Sequence, residues 1–263
     1  MRRILCFATA LLGATLLACT DPNASSSEPF EIAFDTLPAP AVVAGDTMRD
    51  TLGNAARLTA EVFDASNAPI ADAGVVFVPT ARRAAVETVN DILPGGYVIG
   101  RVDSIADQVQ IVAQAGRLQS VARSIDVVRA PTTLRADGLT LLDVAYAPNG
   151  DTTSGNLRVR VGRDSSGTFI GVKSWLVRFR IVYPAVSPFD ADAAVYLVVD
   201  SASTRRAGLD TTGTDGIAAR AVRIRPARLT AATDSVVVEA RAAYRAELLG
   251  SPVRLVVRFN PRP

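Results

Sequence analysis

Short stretches in which apolar and polar residues alternate recur from Phe30 to the end of the chain. They are rich in valine, isoleucine, phenylalanine and tyrosine, and glycine, proline, asparagine or aspartate separates them. Because successive side chains of a strand point to opposite faces of a sheet, this pattern predicts half-buried β-strands. The nearest approach to helical spacing, in residues 81–89, lacks caps and predicts a strand or a turn. The chain is therefore predicted to be all-β.

The predicted strands form two sets with a proline between them. The first set covers residues 30–36, 40–47, 56–64, 73–79, 85–89, 96–102, 108–115 and 119–128. The second set covers residues 133–136, 139–146, 155–163, 173–183, 193–200, 216–225, 234–245 and 252–260. Pro131 interrupts the pattern between them. Regular short strands with marked turns predict antiparallel sandwiches, and the interruption predicts two domains, residues 30–130 and 131–263.

Alternation is clearest in the second set. Trp175, Val177, Phe179 and Ile181 alternate with Arg178 and Arg180, and similar patterns occur in residues 157–163, 236–245 and 253–259. One face of each strand is predicted to pack in a core while the other contacts water, as an antiparallel sheet allows. Trp175 is accordingly predicted to be a core residue rather than a platform on which a carbohydrate stacks.

The first 18 residues have a different character. Arg2 and Arg3 precede an apolar run over residues 4–17, which is shorter than the roughly 20 residues that a membrane-spanning helix needs. The run ends in Leu-Leu-Ala-Cys at residues 16–19, and a polar stretch follows. Residues 19–29 have no apolar period and predict a flexible tether.

This N-terminal segment resembles a bacterial lipoprotein signal peptide that ends in a lipobox. The resemblance implies a signal peptide over residues 1–18, a lipid on Cys19 and the membrane as a partner. It also implies a place in the bacterial cell envelope, and Thr20 after the cysteine favours the outer membrane. An ordinary secretory signal, with Cys19 incidental, is the alternative.

Composition excludes several kinds of chemistry. The 263 residues contain no histidine, a single lysine and two cysteines, Cys6 and Cys19. Cys6 belongs to the predicted signal peptide and Cys19 carries the predicted lipid, so the folded part has no thiol. Histidine-dependent catalysis, cysteine nucleophiles, disulfides and histidine or thiolate metal sites are therefore excluded. No catalytic residue, metal ion or cofactor is predicted.

Charge distinguishes a surface role from nucleic-acid binding. Arg2 and Arg3 account for the net charge of +2, so a chain that starts at Cys19 is neutral and no nucleic-acid partner is predicted. Guanidinium groups bind carboxylates and phosphates through two hydrogen bonds, so outward arginines predict an anion- or glycan-binding surface. These arginines are Arg158, Arg160, Arg178, Arg180, Arg241, Arg254 and Arg258. The alternative is a solvated sheet face whose charges oppose aggregation.

Acidic residues suggest weaker candidates. Residues 190–192 and 210–215 place carboxylates in loops, but neither has the spacing of a complete calcium loop. They are predicted to bond local backbone groups in turns instead. Asp143 lies among Leu141, Leu142 and Val144, the one apolar strand context in which burial would raise the pKa of an acid.

Three motifs resemble bacterial Ig-like domains of the invasin/intimin type. Residues 57–79 look like the front half of such a domain, with a strand, an Asp-to-Pro turn and a second strand. In the second set, residues 175–179 correspond to a strand, and Thr-Asp-Gly-Ile-Ala at 214–218 resembles a shortened family turn. The segments 184–192 and 201–215 depart from the pattern as a long insert and a long polar loop. The resemblance implies two tandem Ig-like antiparallel β-sandwich domains.

Together these features predict a lipid-anchored, non-catalytic envelope protein that acts in binding, adhesion or as a structural spacer. An envelope protein or a polysaccharide is the expected partner. The alternative is a carboxylate-based glycan hydrolase or an accessory domain of one, which requires two acids facing each other across a cleft. A third hypothesis, an assembly factor that uses a free strand edge, predicts one envelope partner.

Overall fold

The computed structural model of the protein describes residues 28–34, 36–81, 85–90, 96–100, 106–148, 150–187, 190–230 and 233–261. The predicted signal peptide and Cys19 lie outside these residues. The described part consists of β-strands, turns and one short 3-10 helix, Pro226–Arg228. The prediction of an all-β chain is therefore confirmed.

The N-terminal domain contains nine described strands. They are β1 Glu31–Ala33, β2 Ala41–Val43, β3 Glu61–Phe63, β4 Val75–Ala81, β5 Val86–Asn90, β6 Gly96–Gly100, β7 Ala106–Ala115, β8 Leu118–Gln119 and β9 Arg123–Val128. The main sheet has the order β2-β9-β7-β4, with β8 beside β7, and the ladders β1–β3 and β5–β6 complete the domain. Met48, Leu58, Phe77, Ile111 and Ile125 are fully buried between these layers.

The C-terminal domain contains the remaining strands. They are β10 Thr133–Ala136, β11 Leu141–Tyr146, β12 Thr152–Thr153, β13 Leu157–Ser165, β14 Thr168–Gly171, β15 Leu176–Tyr183, β16 Val195–Val198, β17 Leu209–Thr211, β18 Ile217–Ile224, β19 Ser235–Arg241, β20 Ala243–Tyr244, β21 Ala246–Glu247 and β22 Val253–Pro261. Every described strand of four or more residues overlaps a predicted stretch except β14.

Two sheets enclose the C-terminal core. Sheet I joins β10, β13 and β18 with β12, β14 and β16, and sheet II has the order β11-β22-β19-β15-β17. Val159 and Val161 from sheet I pack in the same core as Val177 and Phe179 from sheet II. The arginines that alternate with these residues point away from the core, which confirms the predicted faces.

One parallel strand pair in each domain departs from the predicted antiparallel pattern. β2 runs parallel to β9 in the N-terminal domain, and β11 runs parallel to β22 in the C-terminal domain. Side chains alternate with the same period in parallel and antiparallel strands, so the hydrophobic pattern could not reveal this difference. In each pair, an early strand of the domain joins the last one.

The segment 201–215 is not a loop throughout. Its residues Leu209–Thr211 form β17 and pair with Leu176–Arg178 of β15. Asp210 in this strand forms an ion pair with Arg220 of β18, with Nη1 and Oδ1 2.9 Å apart. The polar residue that made the segment resemble a loop therefore links the edges of sheets I and II.

Side chains cover part of the edge strand β4. The backbone N–H of Phe77 donates to Oδ1 of Asn90 over 2.7 Å, and the Thr88 hydroxyl donates to the carbonyl oxygen of Phe77 over 2.7 Å. Both partners belong to β5, which lies in a different ladder. The outward-facing backbone groups of Phe77 are thus satisfied without another strand.

Candidate binding surface and domain junction

The seven predicted arginines do not form one surface. Arg158 and Arg160 lie on β13 of sheet I, and the other five lie on β15, β19 and β22 of sheet II. Arg158 forms an ion pair with Asp137 over 2.8 Å, and Nε of Arg160 donates to the carbonyl oxygen of Asp215 over 2.8 Å. Because the two sheets enclose one core, their outer faces point in opposite directions.

The five arginines on sheet II occupy adjacent strands. Arg178 of β15 lies opposite Arg241 of β19, and Arg180 lies opposite Glu239. Glu239 in turn lies opposite Arg254 of β22. The outer face of sheet II is therefore the one place where the predicted surface has several members side by side.

Carboxylates neutralise three of these five arginines. Glu239 is 7% exposed and accepts hydrogen bonds from Arg241 over 2.8 Å and from Arg254 over 3.1 Å. The hydrogen bond from Arg241 lowers the pKa of Glu239. Burial acts in the opposite direction, and the hydrogen bond from Arg254 lowers this pKa further. Arg258 forms an ion pair with Asp143, 2.9 Å from Nε to Oδ1. Arg178 and Arg180 are exposed and make no ion pair with any residue that the structure describes.

The prediction for Asp143 is wrong. Its side chain is half exposed, and the hydrogen bond from Arg258 lowers its pKa instead of burial raising it. Leu142 and Val144 pack toward the core, while Asp143 points to the opposite face. The strand places the acid in water beside a cation, so the sequence context was misleading.

Carboxylates of the two acidic loops bond within the fold. Oδ1 of Asp190 accepts from the backbone N–H of Asp192 over 2.8 Å, and Oδ1 of Asp215 accepts from Ile217 over 3.0 Å. Asp192 also pairs with Arg228. These are the turn contacts that the sequence predicted. Within the described ranges, no group of three or more metal-ligating side chains occurs.

A polar junction between the domains, which no sequence motif indicated, centres on Asp46. Asp46 follows β2 and is 9% exposed. Nε of Arg49 lies 2.7 Å from its Oδ2, and Nη2 of Arg245, from the C-terminal domain, lies 3.1 Å from its Oδ1. Burial alone would raise the pKa of Asp46, but hydrogen bonds from Arg49, Arg245 and Tyr244 outweigh it and hold this pKa far below its usual range.

A second contact joins the domains beside the first. Asp126 of β9 accepts a hydrogen bond from the Ser174 hydroxyl over 2.5 Å. The same carboxylate forms an ion pair with Lys173, 3.3 Å from Nζ to Oδ1. Lys173 and Ser174 immediately precede β15. Asp46 and Asp126, which belong to two segments of the N-terminal domain, are therefore each bonded to residues of the C-terminal domain.

Apolar side chains close the space between these contacts. Trp175 is 8% exposed, which confirms its predicted burial, and it packs edge-on against Tyr244 with ring centroids 6.0 Å apart. Ala41 and Val43 of the N-terminal domain belong to the same apolar cluster as Trp175. The remaining cavity of about 10 Å³ is close to the smallest space that holds one water. The junction is a packed interface rather than a ligand pocket.

The paired carboxylates predict how stability depends on pH. Asp46, Asp143 and Glu239 have lowered pKa values in the fold, so they stabilise it above their unfolded pKa values and lose this effect as the pH falls through the folded ones. The chain has no histidine to titrate near neutrality. We expect a constant melting temperature from about pH 5.5 to 8 and a progressive fall below about pH 4. Thermal unfolding followed by circular dichroism measures this, and a transition near pH 6.5 would contradict it.

Fold and surface together define the class: an all-β protein of two tandem Ig-like β-sandwich domains. No protein-family model matches the chain, and no curated protein matches it. Within the described ranges, no helix has the length and apolar character needed to span a membrane.

Several solved structures resemble the chain in fold. The Yersinia pseudotuberculosis adhesin InvE matches 84% of it with a TM-score of 0.34 and 14% identity, and the chain spans 56% of that protein. The D00-D0 domain of intimin matches 87% of the chain, and 98% of its own length is covered, with a TM-score of 0.29 and 15% identity. Domains 4–9 of the surface layer protein SbsC match 89% of the chain, and 32% of their length is covered, with a TM-score of 0.28 and 13% identity. At these identities the similarity concerns the fold alone.

Proposed function

We propose that this chain is a lipid-anchored, non-catalytic protein of the bacterial cell envelope that acts in adhesion or as a structural spacer. The packed junction is the observation that supports this most directly. Domains joined only by a flexible linker move relative to each other by default. Here buried Asp46 and Trp175 join the two sandwiches, so the C-terminal domain would keep a fixed orientation relative to the anchor.

The proposal divides the chain at residues 130 and 131. Among the described strands, each pairing stays within residues 31–128 or within 133–261, which supports this division. The contacts that cross it come from side chains such as Arg245 and Ser174. The two sandwiches would thus be separate units that a specific interface holds together.

Two cavities among the described residues support a non-catalytic role. A glycan hydrolase needs two carboxyl groups about 5–10 Å apart across a cleft. The larger cavity, a surface groove of about 360 Å³, is lined by Arg180, Ile181, Val182, Ala185, Val186 and Ser187, none of which is acidic. The junction cavity has one acid, Asp50, whose Oδ1 accepts from the backbone N–H groups of Leu52 and Asn54. Neither cavity favours the hydrolase alternative.

The anchor is tested by replacing the cysteine that would carry the lipid. Cys19→Ala removes the thiol that accepts the acyl chains, so we expect the protein to move from the membrane fraction to the soluble fraction. Cell fractionation with detergent phase separation measures the change, and a density gradient tests the assignment to the outer membrane. Cys6→Ala is the matched control, because it alters the other cysteine and should leave the protein in the membrane. A Cys19→Ala protein that stays in the membrane would disprove the anchor.

Adhesion and spacing are distinguished by what the protein contacts in intact cells. Chemical crosslinking followed by affinity purification should enrich one envelope protein or one polysaccharide if the protein acts in adhesion. Enrichment of neither would reject adhesion and leave the spacer role. The expected partner surface is the outer face of sheet II, where Arg178, Arg180, Arg241, Arg254 and Arg258 lie together.

A further inference from the structure

We propose that the outer face of sheet II binds an anionic polysaccharide, with the carboxylate of one acidic sugar held by Arg180 at the groove beside β15. Arg178 binds the next acidic unit of the same polymer. This inference rests on the adhesion branch of the proposed function and specifies the ligand class and the residues that bind it.

Charge is the first argument. The face carries five arginines, and Glu239, Glu247 and Asp143 neutralise Arg241, Arg254 and Arg258. Arg178 and Arg180 remain exposed and unpaired with respect to the described part of the chain. They lie two residues apart on one strand, so both point outward, about 7 Å from each other. Two such guanidinium groups complement a regular row of carboxylates.

The groove is the second argument. Arg180 lines it together with Val182, Ala185, Val186 and Ser187, and its volume is about 360 Å³. This volume lies at the lower end of the range for small-molecule sites and suits one sugar unit. The aliphatic walls would contact the less polar face of a sugar ring, while the guanidinium group lies at the carboxylate.

The placement of two exposed arginines along one strand favours a polymer over a free acid. Val237, Val256 and Leu141 lie opposite one another on three neighbouring strands and form an aliphatic row beside the arginine positions. Val237 and Val256 are half-buried, and Leu141 is exposed. An extended chain that runs along β15 can engage Arg178 and Arg180 at once. Exposed charges give weak, salt-sensitive contacts singly, and repetition along a polymer strengthens them.

The test measures binding of the purified full-length protein, in detergent, to polygalacturonate by affinity electrophoresis, with neutral dextran as the uncharged probe. We expect polygalacturonate to retard the protein and dextran to have no effect. The retardation should be lost in 0.5 M salt, because the electrostatic screening length there is roughly 4 Å. The double variant Arg178→Gln/Arg180→Gln should bind about tenfold more weakly, because two charge-assisted contacts are lost.

Matched variants separate a defined site from general basicity. Arg117→Gln/Arg129→Gln removes the same charge from two exposed arginines at the N-terminal domain and should leave binding within about twofold. Ala185→Trp keeps every charge but fills the groove, and it should weaken binding as the double arginine variant does. Circular dichroism verifies that each variant is folded, and the emission of Trp175, the single tryptophan of the unaltered protein, adds the same check for the two double arginine variants.

Equal weakening by both double variants would overturn the site, as would unchanged binding of Ala185→Trp or no binding of the unaltered protein to polygalacturonate. Phosphorylated mannan and dextran sulfate serve as further probes, and a preference for either would contradict the carboxylate assignment. These measurements use purified protein and do not depend on Cys19. A failure here therefore leaves the anchor and the spacer role standing, while a failed Cys19→Ala test leaves the sugar site standing.

Discussion

Replacing Asp46 with asparagine is expected to loosen the two domains while each domain stays folded. The carboxylate of Asp46 accepts from both Arg49 and Arg245, and an amide oxygen can replace only part of this. We expect a loss of about 2 kcal/mol, less than the roughly 3–5 kcal/mol of a fully buried ion pair, because Arg245 is 60% exposed and solvent screens it. This corresponds to a fall of about 4–8 °C in melting temperature.

The position of Trp175 provides a direct measurement of this loosening. It is the single tryptophan of the chain and lies at the junction against Tyr244. Its emission should shift to the red in Asp46→Asn as water reaches the indole ring. The distribution of interatomic distances from small-angle X-ray scattering should become broader and extend to a larger maximum dimension, because the domains take several orientations.

Asp64→Asn is the matched control for the junction. Asp64 is also a buried carboxylate, but it accepts from Ser66 and Ala68 within a turn of the N-terminal domain. This variant should leave Trp175 emission and the scattering profile unchanged. In acid, Asp46→Asn should lose less stability than the unaltered protein, since the group that titrates is gone. Identical emission and scattering in the two variants would show that Asp46 does not hold the domains together.

Replacing Gly216 with alanine is expected to destabilise the C-terminal domain strongly. Gly216 has φ +80°, and an added Cβ would lie 2.4 Å from the carbonyl oxygen of Val161 and 2.7 Å from Cα of Gly171. Both are backbone atoms, so no side chain can rotate away. The left-handed conformation alone costs an alanine about 1–2 kcal/mol, and the steric conflict raises the expected total to about 3 kcal/mol or more.

Gly167→Ala isolates the conformational part of this cost. Gly167 also has φ +80°, and nothing lies within 4 Å of its added Cβ. With Ser166, which has φ 51°, it forms the two-residue turn between β13 and β14. Chemical denaturation of both variants should give about 1 kcal/mol for Gly167→Ala and clearly more for Gly216→Ala. Equal losses of unfolding free energy would mean that the backbone near Val161 moves away from the added methyl group without a loss of stability.

Sequence reasoning located the strands well because their alternation has a direct physical cause. Val177, Phe179 and Ile181 are buried and Arg178 and Arg180 exposed, as the period of two requires. The same period indicates whether a side chain points inward or outward but not in which sheet its strand lies. For this reason Arg158 and Arg160 were grouped with five arginines that lie on the opposite face of the domain.

The junction could not be predicted from local patterns. Asp46 and Arg245 are separated by 199 residues, and neither lies in a motif. Arg245 has φ 59°, which interrupts the strand after Tyr244, but no feature of the sequence indicates a left-handed arginine. The prediction of a raised pKa for Asp143 was wrong for a related reason, because its ion-pair partner Arg258 lies on β22 and not among its neighbours in sequence. Contacts between distant segments depend on how the strands cross, and this is settled by the whole fold.

The side chains that occupy the edge of β4 have a consequence for crowding. A protein held at high density on a surface meets its own copies sideways, and open strand edges then recruit one another into ribbons. Thr88 and Asn90 occupy the backbone groups of Phe77 that such a ribbon would need. At high surface density, this part of the N-terminal sheet is therefore protected from pairing with the strand of a neighbouring copy.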